Sequence, residues 1–137
     1  MRRTAFIAPL LLVLADQALK WTSRHLLPPQ GVFVVPGLLG LEPFVNHGIA
    51  FGIPVPGILL TAGTLALAIG FGVVAWKRQS TGALLVAAGG LSNAFDRIVF
   101  GVTYDYVRLG PWSLVNLADG MIVAGLALFL WKRSPSR

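Results

Sequence analysis

The chain carries five acidic residues, Asp16, Glu42, Asp96, Asp105 and Asp119, and three of them fall inside long apolar runs. An ionisable group at membrane depth costs a few kcal/mol even on lenient scales, so such residues face the protein interior or a polar cavity. Asp16 and Lys20 are four residues apart, and Asn93, Asp96 and Arg97 share one helical face, which predicts Asp16–Lys20 and Asp96–Arg97 as structural pairs. Asp105 and Asp119 are left with no cation adjacent in sequence or on a neighbouring turn, with Arg108 open as a partner. Two close carboxylates that share one proton can hydrolyse an amide: one activates water as general base while the other, protonated, polarises the carbonyl. Asn116 and Asp119 also read more simply as a helix cap and its first-turn acid. The positive end of that helix favours an ionised Asp119, and apolar surroundings favour a protonated Asp105.

Other chemistry finds less support. The chain has no cysteine, which removes disulfides, thiolate metal sites and cysteine nucleophiles. His25 and His47 are the only histidines; they lie in one connection without metal-ligand spacing and read as surface residues. No base partner for a serine nucleophile is identifiable. Neither a metal nor a cofactor is expected.

These residues need elements to hold them. With 55% hydrophobic and 12% charged residues, the chain departs from the roughly 25% charge of soluble domains. Its net charge of +6 sits in short clusters flanking apolar runs, which argues for membrane placement and against nucleic-acid binding. Four runs, residues 4–21, 57–76, 82–100 and 114–131, approach the ~20 residues that a spanning helix needs. The positive-inside tendency puts Arg2 and Arg3, Lys77 and Arg78, and Lys132, Arg133 and Arg137 in the cytoplasm, with Trp21, Trp76 and Trp131 at interfaces. Both termini are then cytoplasmic. The first run read as a cleaved signal peptide is opposed by Asp16 and Lys20 and by the lack of a small-x-small site. Counted at 1.5 Å per residue, Asp16 and Asp119 stand about 18 Å, and Asp96 about 21 Å, above the cytoplasmic ends, so an outward-opening pocket is expected.

The fold class expected is an all-α integral membrane protein, four transmembrane helices with a small extracytoplasmic β-containing loop domain. Residues 1–137 read as one domain, with outer loop 22–56 as a surface sheet or lid: Val32 to Val35 have strand character, and Gly37, Gly40, Pro54 and Pro56 mark turns. Ala83, Ala87, Gly90 and Ala94 form a small-residue stripe suited to helix packing.

The sequence resembles the bacterial lipoprotein signal peptidases, the signal peptidase II family, over nearly its whole length. The likeness rests on Asp16-Gln17-Ala18-Leu19-Lys20, Asn46-His47-Gly48-Ile49-Ala50-Phe51-Gly52, Ser92-Asn93-Ala94-Phe95-Asp96-Arg97 and Asn116-Leu117-Ala118-Asp119, in that order, with Gly101-Val102-Thr103-Tyr104-Asp105-Tyr106 similar to the family's Gly-x-Val-x-Asp-Phe. The resemblance implies that Asp105 and Asp119 are the catalytic dyad. It also implies that Asn46, Gly48, Asn93, Arg97 and Asn116 shape or brace the site, with Asp16, Lys20 and Asp96 in support. The implied substrate is a prolipoprotein with a diacylglyceryl cysteine, cut just before that cysteine by a protein expected to be monomeric in the bacterial inner membrane among its lipids, with its site towards the outer face. Ile49 stands where the family commonly has Ala, Ser92 where it has Gly, and Tyr106 where it has Phe. Two alternatives belong to another class: a transporter or proton-relaying subunit built on intramembrane carboxylates, and a relative that binds lipoproteins without cutting them.

Overall fold

A computed structural model describes residues 3–48 and 56–131; Arg2, Ile49 to Gly52, Pro54, Lys132, Arg133 and Arg137 lie outside the described residues. A 3-10 turn, Arg3–Phe6, leads into α1 (Ile7–Leu26), followed by β1 (Val32–Val35), β2 (Leu39–Asn46), α2 (Gly57–Arg78), α3 (Thr81–Phe100), β3 (Thr103–Leu109), β4 (Leu114–Val115) and α4 (Leu117–Trp131).

Local chemistry explains the boundaries. The α2–α3 hairpin turns on Gln79, left-handed at φ 52, and on Ser80, whose Oγ accepts from the Ala83 N–H at the start of α3. Gly101, at φ 75, ends α3 in a conformation that disfavours a side chain, and its N–H bonds the Arg97 carbonyl. The first helix continues to Leu26, so Trp21 lies within it rather than at its end. The fourth starts at Leu117, later than the apolar run that begins at residue 114, because Leu114 and Val115 pair with β3.

The four strands form one antiparallel sheet in the order β1-β2-β3-β4. The strand expected over Val32 to Val35 is β1, and β2 follows it in the same connection; β3 and β4 come from the connection between α3 and α4. Leu41 pairs with Val107 and Phe44 with Asp105, and the register slips between them. Pro43, which has no N–H to offer a ladder, sits in that bulge.

The distribution of side chains is inverted relative to a soluble protein. The largest fully buried side chains are Asp16, Asp96, Asp105 and Ser92, while Ile58, Leu67, Val123 and Leu130 are more than half exposed. Buried charge inside an apolar exterior marks a chain solvated by lipid. Two helices, Gly57–Arg78 and Thr81–Phe100, are long and apolar enough to cross a membrane, and Leu117–Trp131 is a shorter apolar helix.

Small residues let the helices meet. Ala83, Ala87, Gly90 and Ala94 are all buried, and a Cβ added to Gly90 would come within 3.0 Å of the Ala68 Cβ on α2. On the other side of α3, a Cβ at Gly89 would stand 2.4 Å from the Ala118 carbonyl oxygen, and one at Gly82 would stand 2.6 Å from that of Gly125. Backbone leaves no room to yield there. Gly89→Ala should therefore destabilise the protein by about 1–3 kcal/mol, whereas Gly63→Ala, in open space, should be neutral or stabilising by up to about 1 kcal/mol. Thermal unfolding in detergent checks the pair, and equal midpoints for the two variants would contradict the packing.

Candidate active site

The site is built on a buried cation. Lys20 Nζ lies 2.8 Å from Asp16 Oδ2 and 2.8 Å from Asp96 Oδ2 as ion pairs, and donates to Asn93 Oδ1 at 2.9 Å. The predicted Asp16–Lys20 pair is present. The predicted Asp96–Arg97 pair is not: Asp96 turns to Lys20, and Arg97 donates to Thr64 Oγ1 on α2 at 3.1 Å. Neighbouring helical positions point about 100° apart, so Asp96 and Arg97 serve different faces of α3.

Neutral donors complete the acids. Ser92 Oγ donates to Asp16 Oδ2 at 2.7 Å, and the Tyr106 hydroxyl and the Ala118 N–H bond Asp16 Oδ1 at 3.1 and 3.2 Å. Gln17 Nε2 donates to Asp96 Oδ1 at 2.9 Å. Asp16 thereby takes up one of the unpaired N–H groups at the start of α4. The roles of Gln17, Ser92 and Tyr106 in this set escape sequence reasoning, since their partners lie more than 70 residues away. The available signal was two hydroxyls at positions where the resembling family has none.

Asp105 and Asp119 arrive from different elements. Asp105 is on β3, 2% exposed, with its Oδ2 accepting from Asn46 Nδ2 at 2.8 Å and its Oδ1 from Asn116 Nδ2 at 2.7 Å. Asn46 is itself fixed, since its Oδ1 accepts from the Gly48 N–H at 2.9 Å. Asp119 closes a reciprocal capping box: its N–H donates to Asn116 Oδ1 at 2.9 Å, and its Oδ2 accepts from the Asn116 N–H at 3.2 Å. Its Oδ1 accepts from Asn93 Nδ2 at 2.8 Å. Asn116 caps the helix and also reaches both acids, for its amide bonds Asp105 and, at 3.1 Å, Asn93 Oδ1. Asn116 joins the two carboxylates, and Asn93 joins both to Lys20.

Arg108 does not reach Asp105. It forms a two-pronged pair with Glu42 across β2 and β3, at 2.7 and 2.6 Å, which holds the Glu42 carboxyl below its ordinary range. Among the described residues Asp105 has no ion pair, and burial, with the charge of Asp119 adding, pushes its carboxyl up to about 6 against the opposing pull of Asn46, Asn116 and Lys20. Burial and the adjacent Asp16 raise the Tyr106 phenol, which therefore stays protonated as a donor. His25 and His47 are exposed. Among the described residues no group of three His, Asp or Glu side chains is disposed to hold a metal ion.

Asp119 opens on a cleft of about 280 Å³ between α2, α3 and α4. Asn93, Arg97, Thr64 and Asp119 form its polar end, and Leu60, Leu67, Phe71, Val86, Ile122 and Leu126 the apolar remainder.

Comparison with known proteins gives the family. A family model described as Signal peptidase (SPase) II matches residues 8–133. Similar proteins named lipoprotein signal peptidase include one from Syntrophomonas wolfei subsp. wolfei, 34% identical over 88% of this chain and 86% of that protein. Another, from Methylorubrum extorquens, is 36% identical over 90% of this chain and 83% of that protein. A solved bacterial membrane enzyme shares the fold with a TM-score of 0.85 at 21% identity, covering 97% of this chain and 88% of that one.

Removing the central cation strands two buried carboxylates. Lys20→Met should destabilise by about 3–5 kcal/mol, read as a fall in the unfolding midpoint in detergent; a variant as stable as the wild type would show that the ammonium does not hold α1 to α3.

Proposed function

Because the chain belongs to the signal peptidase II family and is a membrane peptidase, we propose that Asp105 and Asp119 are its catalytic dyad. It cleaves the signal peptide from diacylglyceryl-modified prolipoproteins just before the lipidated cysteine. The observation that carries this reading is Asn116, which bonds the Asp105 carboxyl through its side chain and Asp119 through both its side chain and its backbone. Around it, Asn46, Gly48, Asn93 and Arg97 shape the site, while Asp16, Lys20 and Asp96 support it from within the helices.

The two carboxyls take different parts. Asp119, in the first turn of α4 where the helix dipole favours negative charge, accepts from Asn93 and Asn116 and acts as general base. Asp105, buried and facing another acid, is the protonated partner. Asp119 takes a proton from water as its oxygen attacks the scissile carbonyl carbon, and Asp105 gives its proton to the carbonyl oxygen. The tetrahedral intermediate collapses when the leaving nitrogen receives the proton from Asp119, and Asp105 recovers its own as the new carboxyl forms. No metal or other cofactor enters these steps.

Placement in the membrane follows from the same residues. The apolar exteriors of α2, α3 and α4 and the cytoplasmic basic clusters support four spans with both termini inside. The sheet then sits at the outer surface, and the site lies towards that face. A lipid-bearing peptide moving within the bilayer would meet the cleft from the side, its hydrocarbon along Leu60, Leu67 and Ile122 and its scissile bond at Asp119.

Cleavage of a diacylglyceryl prolipoprotein by purified protein in detergent tests the dyad. Asp105→Asn and Asp119→Asn should each lower kcat at least about a hundredfold while remaining folded; a folded variant that still cuts would remove that residue from the dyad.

The pH response tests the division of roles. The carboxyl of Asp105 is raised from 3.8 to about 6, so its neutral form persists in the fold well above the ordinary carboxylate range and is lost as pH rises through about 6. The charged and polar groups facing it are Asn46 from β2, Asn116 and Asp119 from α4, Lys20 from α1 and Arg97 from α3. The kcat/KM of the free enzyme should therefore fall with a limb near about 6, displaced upward in kcat because bound substrate excludes water. The same linkage makes Asp105 stabilising at acid pH, with that contribution declining as pH rises through about 6. A kcat/KM that is flat across this range would exclude Asp105 as the acid.

A further inference from the structure

One hydroxyl touches the backbone that carries each half of the proposed dyad. Tyr106 follows Asp105 on β3, so the two side chains leave opposite faces of the strand, and both are buried, at 4% and 2% exposure. The Tyr106 phenol accepts from the Leu117 N–H at 2.9 Å, at the first residue of α4 and two residues before Asp119. It also donates to Asp16 Oδ1 at 3.1 Å, the oxygen that accepts from the Ala118 N–H. On the far side of the same carboxylate, Ser92 Oγ donates to Oδ2 while accepting from Gln17 Nε2 at 3.0 Å. Strand β3 and the first turn of α4 are therefore joined behind the site through Tyr106 and Asp16, as they are joined in front of it through Asn116.

We propose that Tyr106 is a positioning residue of the peptidase reaction: its hydroxyl sets the relation between Asp105 and Asp119 by tying β3 to the start of α4, and Ser92 holds Asp16 in place for that tie. The inference rests on the dyad reading above. Its physical basis is the sensitivity of acid–base catalysis to placement, since a displacement of about 1 Å costs on the order of a hundredfold in rate. Leu117 and Ala118 have no intrahelical acceptors for their N–H groups, so the start of α4 is located by what bonds them. Those acceptors are the Tyr106 hydroxyl and the Asp16 carboxylate. Tyr106 removes no proton and touches no substrate in this scheme.

The test uses the whole chain in detergent with a diacylglyceryl prolipoprotein, comparing wild type, Tyr106→Phe, Ser92→Ala and the double variant. Tyr106→Phe keeps the ring and removes only the hydroxyl. Expected are a fall in kcat of about tenfold with KM within about twofold, a shift in the limb of the pH profile because the separation of the two carboxyls changes, and faster amide exchange at Leu117 and Ala118. Ser92→Ala should move the same readouts less, and the double variant should lose less than the product of the single losses, because both hydroxyls act on Asp16. A folded Tyr106→Phe with wild-type kcat and pH profile overturns the inference and leaves the dyad standing. A lowered kcat with an unmoved pH profile and unchanged exchange also overturns it, since that is what loss of active protein alone produces. If Tyr106→Phe does not fold, Ser92→Ala carries the same readouts and decides in the same way. A wild type that does not cut overturns the dyad reading, and this inference with it.

Discussion

A lysine ammonium buried between helices must be surrounded by opposite charge and acceptors, and Lys20 has three oxygens close to it, one from its own helix and two from α3. Desolvating such an ion costs several kcal/mol, recovered only with close and complete pairing. The pairing fixes how far α1 stands from α3 and which faces meet. Asp16 and Asp96 share that single cation, and neutral donors complete them: Ser92, Tyr106 and the Ala118 N–H on Asp16, and Gln17 on Asp96. Polar residues at otherwise apolar depths thus share a single cause.

The same ion reaches the two acids of the proposed dyad through one intermediary. Asn93 Oδ1 takes a proton of Lys20 and an N–H of Asn116, and its amide is then turned so that Nδ2 points at Asp119. An amide is suited to this position because one end accepts and the other donates; a carboxylate there would repel Asp119, and an apolar side chain would leave it unheld. Asn116 repeats the device one step further out, between Asp119 and Asp105. Two asparagines therefore convert a buried ion pair into a defined relation between two acids that form no ion pair among the described residues.

What could be read from the chain beforehand follows from the range of each interaction. The runs at 57–76 and 82–100 were legible because apolar length is a local property, and α2 and α3 follow them closely. Asp16–Lys20 was legible from its spacing on a single helix, and the Asn116–Asp119 cap from its spacing across a helix start. The Asp96–Arg97 pairing failed because proximity in sequence was allowed to stand for proximity in space: Lys20, 76 positions away, is the partner that Asp96 has. The sheet was half seen for the same reason. The β-branched residues of β1 announce a strand, but that Tyr104 would lie beside Val45 and Asp105 beside Phe44 depends on a crossover between two distant connections. Ser92 and Tyr106 stood out as departures from a pattern, yet that both hydroxyls land on one carboxylate is visible only in three dimensions.

The two acids differ because of where their elements end. Asp119 is in the first turn of a helix, where unpaired N–H groups and the helix dipole favour negative charge. Asp105 is in the middle of a strand whose dipoles largely cancel, and its two N–H contacts do not offset its burial beside another acid. The backbone thus presents the two carboxyls with different dipoles, those of a helix start and of a strand middle.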